Sequence, residues 1–294
     1  MDPILAGAIF IVGLAFGSFL NVCISRIPCE LSIVRPGSYC PHCKARIRPP
    51  DNVPVISWLL LRGRCRACGW KIPWRYPAVE LLIAAWSVAC YAWFGFNRMG
   101  GKAWVFCFLT TGLIFMDAES GLLPREFTFL GIALGLALAW IVPVDSSGMV
   151  LLFRVFGHAV TTTAAELSLL DAVAASIFGA GFFYLAWAAY FLVRKREGLG
   201  FGDLAFAAMI GAFLGLKLTV LVVFLSPILG TMYALLLAAA GKAELVGAPA
   251  LQGPPAGEKF LSREVPFGVF LGISALVACF LGGPLWNWYL GLFR

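Results

Sequence analysis

Charged residues are scarce in this chain of 294 residues. Only 13% of the residues are Asp, Glu, Lys or Arg, whereas 61% are hydrophobic. A soluble domain carries about twice that share of charge, so the composition argues against a soluble globular protein. Apolar runs of about 20 residues, the length that spans a bilayer, recur along the whole sequence. The chain is therefore predicted to be an all-α polytopic membrane protein.

About eight transmembrane helices are predicted from these runs. Their approximate limits are 4–24, 78–96, 103–117, 127–143, 170–193, 203–217, 219–240 and 267–290. The first run lacks both a preceding basic segment and a small-residue cleavage site, so we interpret it as a retained helix and not as a signal peptide. The apolar stretch 149–156 indicates an interfacial helix. The segment 241–266, rich in Gly, Ala and Pro, indicates a flexible linker.

Acidic residues are nearly absent from the segment 25–77, which has ten basic residues and two acidic ones. Basic segments that flank membrane helices stay in the cytoplasm. With eight spans, this rule places four loops in the cytoplasm, and those loops hold 17 of the 22 basic residues. We interpret the positive charge as a topology signal and a contact with anionic membrane lipid, and not as a nucleic-acid site.

Two CxxC pairs lie in this basic segment, Cys40 with Cys43 and Cys65 with Cys68. Such pairs can supply four thiolates in a tetrahedron around zinc, and a reducing cytoplasm favours metal-bound thiolates over disulfides. A redox CxxC and four unpaired thiols are the alternatives. His42 lies inside the first pair and is expected beside the metal or at the surface. The sequence therefore predicts a structural Zn²⁺ site in a cytoplasmic zinc-knuckle loop.

Two aspartates stand at the ends of predicted spans, Asp117 in the third and Asp203 in the sixth. An ionisable group at the edge of the hydrocarbon is costly to place, so each is a functional candidate. The predicted topology puts both on the cytoplasmic face, where two neighbouring carboxyl groups can share a proton and perform acid–base chemistry. Gly200 and Gly202 beside Asp203 let a substrate backbone approach closely. The alternative is that Asp117 is an ordinary helix-end acid and Asp203 is an N-cap.

Taken in order, these motifs resemble those of the prepilin peptidases, the type IV leader peptidases of type IV pilus and type II secretion systems. The resemblance runs over nearly the whole chain. It is carried by the two CxxC pairs, Gly17-Ser18-Phe19-Leu20-Asn21-Val22, Asp117 with Leu123-Pro124, the GxGD motif Gly200-Phe201-Gly202-Asp203, and Val265-Pro266-Phe267-Gly268. Two positions depart from the family pattern. Ala205 stands where the family usually has lysine, and Arg125 stands where it often has aspartate.

The resemblance implies a GxGD aspartic peptidase of the bacterial inner membrane. Such an enzyme removes the basic leader of prepilins or pseudopilins after a glycine, on the cytoplasmic face. Asp117 and Asp203 would be its catalytic pair, supported by Gly200 and Gly202, with no covalent intermediate. The resemblance also implies N-methylation of the new N-terminal residue, with S-adenosylmethionine as the methyl donor.

The sequence has no Gly-rich strand–turn–helix fingerprint for S-adenosylmethionine. The resemblance places methyl transfer in the N-terminal half, where Glu80 is the candidate acid, and the alternative is a buried helix-end acid paired with Arg75. The implied domains are a first helix at 1–24, the zinc-binding loop at 25–77 and the peptidase domain at 78–294. A peptidase without methyltransferase activity is one alternative. A non-enzymatic assembly or transport protein that uses the aspartates as ion sites is the other.

Overall fold

The computed structural model describes residues 2–146, 148–150, 163–195, 200–240 and 267–291. The helices in these residues are α1 (Pro3–Arg26), α2 (Ile56–Leu60), α3 (Arg75–Phe94), α4 (Arg98–Ser120), α5 (Arg125–Ile141), α6 (Ala164–Arg194), α7 (Phe201–Ala239) and α8 (Phe267–Gly291). The same residues contain two isolated β-bridges and no longer strand. The prediction of an all-α protein is confirmed. The predicted linker 241–266, and all but two residues of the predicted interfacial helix 149–156, lie outside the described residues.

Membrane-spanning length is reached by six helices, namely α1, α3, α4, α6, α7 and α8. Helix α5 has 17 residues, the lower end of the range of about 17–25 that crosses a bilayer. Helix α7 has 39 residues, about twice the number that one crossing needs. Its parts α7a (201–214) and α7b (216–239) correspond to the two spans predicted at 203–217 and 219–240.

The chain reverses direction within α7, at Gly215. The backbone of Gly215 is non-helical, with φ 75° and ψ 174°. A Cβ added to Gly179 of α6 would touch both Ala207 of α7a and Thr219 of α7b. Both halves therefore run beside the same part of α6, so they form a helical hairpin. The six helices of spanning length form seven spans when the α7 hairpin is counted as two. Helix α5 is the eighth, so the number agrees with the eight predicted spans.

Asp171 of α6 holds the turn of this hairpin. Its side chain is fully buried, and its Oδ2 accepts a 2.9 Å hydrogen bond from the N–H of Leu216, the first residue of α7b. The hydroxyl of Thr219 donates to the Gly215 carbonyl oxygen over 2.7 Å. The N–H groups of a first helical turn have no partner within the helix, and lipid cannot supply one. Asp171 therefore satisfies a donor that would otherwise be buried unpaired.

The chain divides into two compact units, Met1–Gly112 and Leu113–Arg294. In the first unit, α1 and α3 approach closely at Gly13 and Gly17, where an added Cβ would collide with α3. In the second unit, α6 and α7 approach closely at Gly211. Small residues at such crossings let helix backbones come together where no hydrophobic effect drives them.

Replacing Gly215 by alanine is expected to destabilise the second unit. The backbone at this position is left-handed, and the new Cβ would collide with the Asp171 carboxylate, so the change costs about 1–3 kcal/mol. The measurement is the thermal unfolding temperature in detergent. Gly181→Ala is the matched control, since Gly181 is helical and an added Cβ there meets nothing. Equal unfolding temperatures for the two variants would contradict the hairpin turn described here.

Candidate active site and metal centre

Asp117 and Asp203 lie together at one end of the second unit. Asp117 is near the C-terminus of α4, and Asp203 is in the first turn of α7a. Their side chains are buried, with 7% and 9% of their surfaces exposed. They are close enough for their charges to repel each other. The structure thus brings the two aspartates chosen from sequence into one site.

Asp117 is positioned by the end of α4 and by the start of α8. Helix α4 stops at Gly121, which has φ 64° and whose N–H donates to the Asp117 carbonyl oxygen over 2.8 Å. The N–H of Val269, in the first turn of α8, donates to Asp117 Oδ2 over 3.2 Å. A Cβ on Gly268 would lie 2.7 Å from the same oxygen. The free N–H groups of a helix N-terminus favour a negative charge, so α8 stabilises the Asp117 carboxylate.

Asp203 is held by the N-terminus of its own helix. Gly200 is the N-cap, and its N–H donates to Asp203 Oδ2 over 3.2 Å. In a capping box, the side chain of the third helical residue accepts a hydrogen bond from the backbone N–H of the N-cap residue. Asp203 is therefore that third residue and not the N-cap itself.

Leu123, in the loop between α4 and α5, forms one wall of the aspartate site. A Cβ on Gly202 would lie 2.7 Å from Leu123 Cβ, and a Cβ on Gly268 would lie 3.2 Å from Leu123 Cδ1. Both glycines are therefore needed for the loop to approach the aspartates. The sequence analysis assigned Gly268 no role in the site. Its position at the start of the last apolar span was the feature that could have indicated one.

The four cysteines of the two CxxC pairs form a cluster in the first unit. All four Sγ atoms lie within 4.8 Å of one another, and those of Cys40 and Cys68 are 3.9 Å apart. A tetrahedron with metal–sulfur bonds of about 2.3 Å has sulfur–sulfur distances of about 3.8 Å. The cluster therefore fits a single metal ion. Four thiolates in this geometry are typical of zinc and of iron–sulfur centres.

The two knuckles have the same backbone structure. The Cys40 N–H donates to the Ala45 carbonyl oxygen over 2.9 Å, and the Cys65 N–H donates to the Trp70 carbonyl oxygen over 2.8 Å. A β-bridge closes each turn, one between Tyr39 and Arg46 and the other between Arg64 and Lys71. This pairing orients each pair of sulfur atoms toward the centre of the cluster.

Each knuckle contains one residue with a left-handed backbone, Lys44 in the first and Gly69 in the second, with φ of 59° and 70°. Glycine adopts this conformation at little cost, whereas lysine in a sequence carries no signal for it. His42 has no ligand atom in the cluster, and its ring is stacked with that of Trp70 at a centroid distance of 6.4 Å.

The Cys65 thiol is prepared for metal binding. The backbone N–H groups of Cys68 and Ala67 donate to its sulfur and lower the pKa of the thiol to about 7. The thiolate is the form that binds metals. The second knuckle therefore supplies a thiolate near neutral pH before any metal charge acts on it.

Glu80 is buried in the second turn of α3, with 7% of its surface exposed. Its Oε2 accepts a 2.7 Å hydrogen bond from the Val55 N–H, and the Ser18 hydroxyl also donates to its carboxylate. Val55 has φ 60°, a conformation that is rare for a β-branched residue. Glu80 therefore ties a strained turn of the cysteine loop to α1 and α3.

A cavity of about 660 Å³ lies between the cysteine loop, α1 and α3 in the first unit. Its lining includes two cluster cysteines, Cys40 and Cys65, together with Asn21, Trp58 and Glu80. Pockets that bind small molecules have volumes of about 300–1,000 Å³. The cavity is therefore large enough for a nucleoside-sized ligand.

Two families match this chain. Residues 11–94 match the bacterial peptidase A24 N-terminal domain, and residues 104–235 match the type IV leader peptidase family. The boundary between the two matches falls close to the boundary between the two compact units.

Proteins that carry the name prepilin leader peptidase/N-methyltransferase are similar to this chain. The protein from Aeromonas hydrophila is 31% identical over 96% of this chain and 92% of its own length. The protein from Stutzerimonas stutzeri is 33% identical over 97% of this chain and 93% of its own length. The protein from Myxococcus xanthus (strain DK1622) is 37% identical over 72% of this chain and 57% of its own length. No solved structure matches the chain.

The cysteine cluster is expected to hold one zinc ion per chain. Cys65→Ser removes one of the four thiolate ligands, so the purified variant should lose its zinc during dialysis against a chelator that leaves the wild type loaded. Metal content by mass spectrometry is the measurement. Cys29→Ser is the matched control, since Cys29 is exposed and lies outside the cluster. Retention of zinc by Cys65→Ser would contradict the assignment of the four cysteines as its ligands. Iron in the wild type would show that the metal is iron and not zinc.

Proposed function

Because this chain belongs to the type IV leader peptidase family, we propose that it cleaves the leader of prepilins or pseudopilins and then methylates the new N-terminal residue. The observation that carries the peptidase proposal is the pair of buried carboxyl groups, Asp117 and Asp203. Relatives named for both activities, matched over more than nine-tenths of their length, support the full assignment.

Cleavage proceeds by attack of water on the scissile carbonyl. Two carboxyl groups at short range do not both ionise, so the pair holds one proton. The ionised carboxylate accepts a proton from water, whose oxygen bonds to the carbonyl carbon, while the protonated carboxyl donates to the carbonyl oxygen. Collapse of the tetrahedral intermediate then breaks the C–N bond as the leaving amine gains a proton. Asp117 accepts the backbone N–H groups of Val269 and Gly268, and Asp203 accepts that of Gly200. Because coupled carboxyl groups titrate as a unit, the shared proton belongs to the pair and neither aspartate is assigned as base or acid.

Gly200 gives the substrate backbone room beside Asp203, because a Cβ there would meet no atom closer than Asp203 Oδ2 at 3.6 Å. An extended substrate segment can approach such a position closely. The corresponding space at Gly202 is filled by Leu123, so this glycine serves the packing of the loop and not the approach of substrate. Ala205 follows Asp203 by two residues and contributes no positive charge, so the site works without the cation that the family usually has there.

The aspartates and the cysteine loop are assigned to the cytoplasmic face of the bacterial inner membrane. The chain is a multi-pass membrane protein, and the charge of its loops follows the positive-inside rule. We assign recognition of the basic leader to Glu119, Glu126 and anionic lipid. The predicted domain boundaries, 1–24, 25–77 and 78–294, stay predictions.

The metal bound by the four cysteines is assigned as structural zinc. It would join the two knuckles and fix the part of the cavity wall formed by Cys40 and Cys65. When bound, S-adenosylmethionine supplies a methyl group, which the new N-terminal nitrogen accepts as the C–S bond breaks and a proton leaves that nitrogen.

Asp117→Asn and Asp203→Asn are each expected to lower prepilin cleavage at least a hundredfold, because general acid–base groups contribute about 10²–10⁴-fold to rate. The measurement is cleavage of a prepilin peptide, with a basic leader and an apolar helix, by the reconstituted enzyme. Circular dichroism and the unfolding temperature confirm that the variants are folded.

Glu166→Gln is the matched control for the aspartate variants. Glu166 is an exposed acid of the second unit, and its role is to cap α6, a role that glutamine also fulfils. This control should cleave as the wild type does. Cleavage by either folded aspartate variant at the wild-type rate would mean that the dyad is structural and that the proposed mechanism is wrong.

A further inference from the structure

The cavity of the first unit contains a buried acceptor that the protein does not satisfy. Asn21 of α1 is 2% exposed, and its Nδ2 donates to the Tyr76 carbonyl oxygen over 2.9 Å. Its Oδ1 is covered and has no hydrogen-bond partner among the described residues. A buried polar atom without a partner is destabilising. Because Asn21 lines the cavity, a small shift of its side chain would expose Oδ1 to a ligand that supplies the missing donor.

Glu80 lines the same cavity and presents a buried carboxyl group to it. Its two hydrogen-bond donors, the Val55 N–H and the Ser18 hydroxyl, are both neutral. A carboxylate has about four acceptor positions, and buried charges are normally balanced by an opposite charge. The buried part of the cavity therefore favours a ligand that carries hydrogen-bond donors and a positive charge.

The rest of the lining is aromatic and basic. Trp58 is fixed, since its Nε1 donates to the Ile72 carbonyl oxygen over 3.2 Å and its ring lies against Gly63. A fixed aromatic face of this kind stacks well with a nucleobase. Exposed basic side chains, including Lys44 and Arg48, complete the lining and can pair with a carboxylate.

We propose that this cavity is the binding site of the methyl donor, S-adenosylmethionine, an inference that rests on the methyltransferase half of the proposed function. Glu80 balances the positive charge of the donor, Asn21 Oδ1 accepts a hydrogen bond from it, and Trp58 stacks with its adenine. The basic residues bind its carboxylate. A phosphate of an anionic lipid is the competing ligand for a basic pocket, but the buried carboxylate and amide oxygen would repel it.

The test is direct binding of S-adenosylmethionine to the full-length protein in nanodiscs, measured by calorimetry. Glu80→Gln keeps an oxygen that can accept the Val55 N–H but removes the charge, and Asn21→Leu removes the unpartnered oxygen. Each variant should bind the donor at least about tenfold more weakly, since a hydrogen bond to a charged group contributes about 1.5–3 kcal/mol. The ratio of methyl transfer to cleavage should fall with the affinity. Glu30→Gln, an exposed acid of the same loop outside the cavity, should bind as the wild type does.

Zinc content and the unfolding temperature of each variant show whether the cysteine loop is intact. Wild-type affinity in both cavity variants, together with methylation by the wild type, would overturn the cavity assignment and leave the proposed function standing. A wild type that cleaves but neither binds nor uses the donor would overturn both the assignment and the methyltransferase half of the function. Binding of glycerol phosphate by a wild type that does not bind the donor would reassign the cavity to a lipid headgroup.

Discussion

The interaction on which this structure depends is the hydrogen bond from a backbone N–H at the start of a helix to a buried carboxylate. The described residues contain four buried acids, Glu80, Asp117, Asp171 and Asp203. Each accepts such a bond, with donors at the start of α2, α8, α7b and α7a respectively. In an apolar chain, a helix start and a buried carboxylate each lack a partner. Pairing them satisfies both, and it fixes the ends of helices relative to one another.

The same interaction occurs at both ends of the second unit, with one acid at one end and two at the other. Asp171 is fully buried, and its bond to Leu216 holds the turn of the α7 hairpin. Asp117 and Asp203 keep a small exposed surface and are close enough to interact electrostatically. A carboxylate that only stabilises a helix start has no need of a second carboxylate beside it. The pair of aspartates is therefore the feature that supports the proposed catalytic role.

The sequence predicted the features that depend on local composition. Apolar runs give the membrane helices, and the two halves of α7 correspond to two separate predicted spans, 203–217 and 219–240. The CxxC pairs likewise indicate a metal cluster without reference to the fold. The approach of Gly268 to Asp117 joins positions about half the chain apart, and no local pattern encodes it. Asn21 gave no signal as an unsatisfied acceptor, because that property depends on every neighbour that packs around it.

The basic segment shows how a count of charges in a sequence differs from the charge that a substrate meets. Arg26 is buried at the end of α1, where its guanidinium donates to the carbonyl oxygens of Ser32, Pro36 and Gly37. It therefore organises the chain that leaves the membrane and presents no charge at the surface.

A second arginine of this segment is paired with an acid of the same loop. Arg66 forms two hydrogen bonds of 2.7 and 2.8 Å with Asp51, and its guanidinium holds the pKa of the Asp51 carboxyl below its ordinary value. Part of the positive charge of the segment is thus buried or neutralised within the loop. The positive charge that this loop presents at its surface is therefore smaller than its number of basic residues suggests.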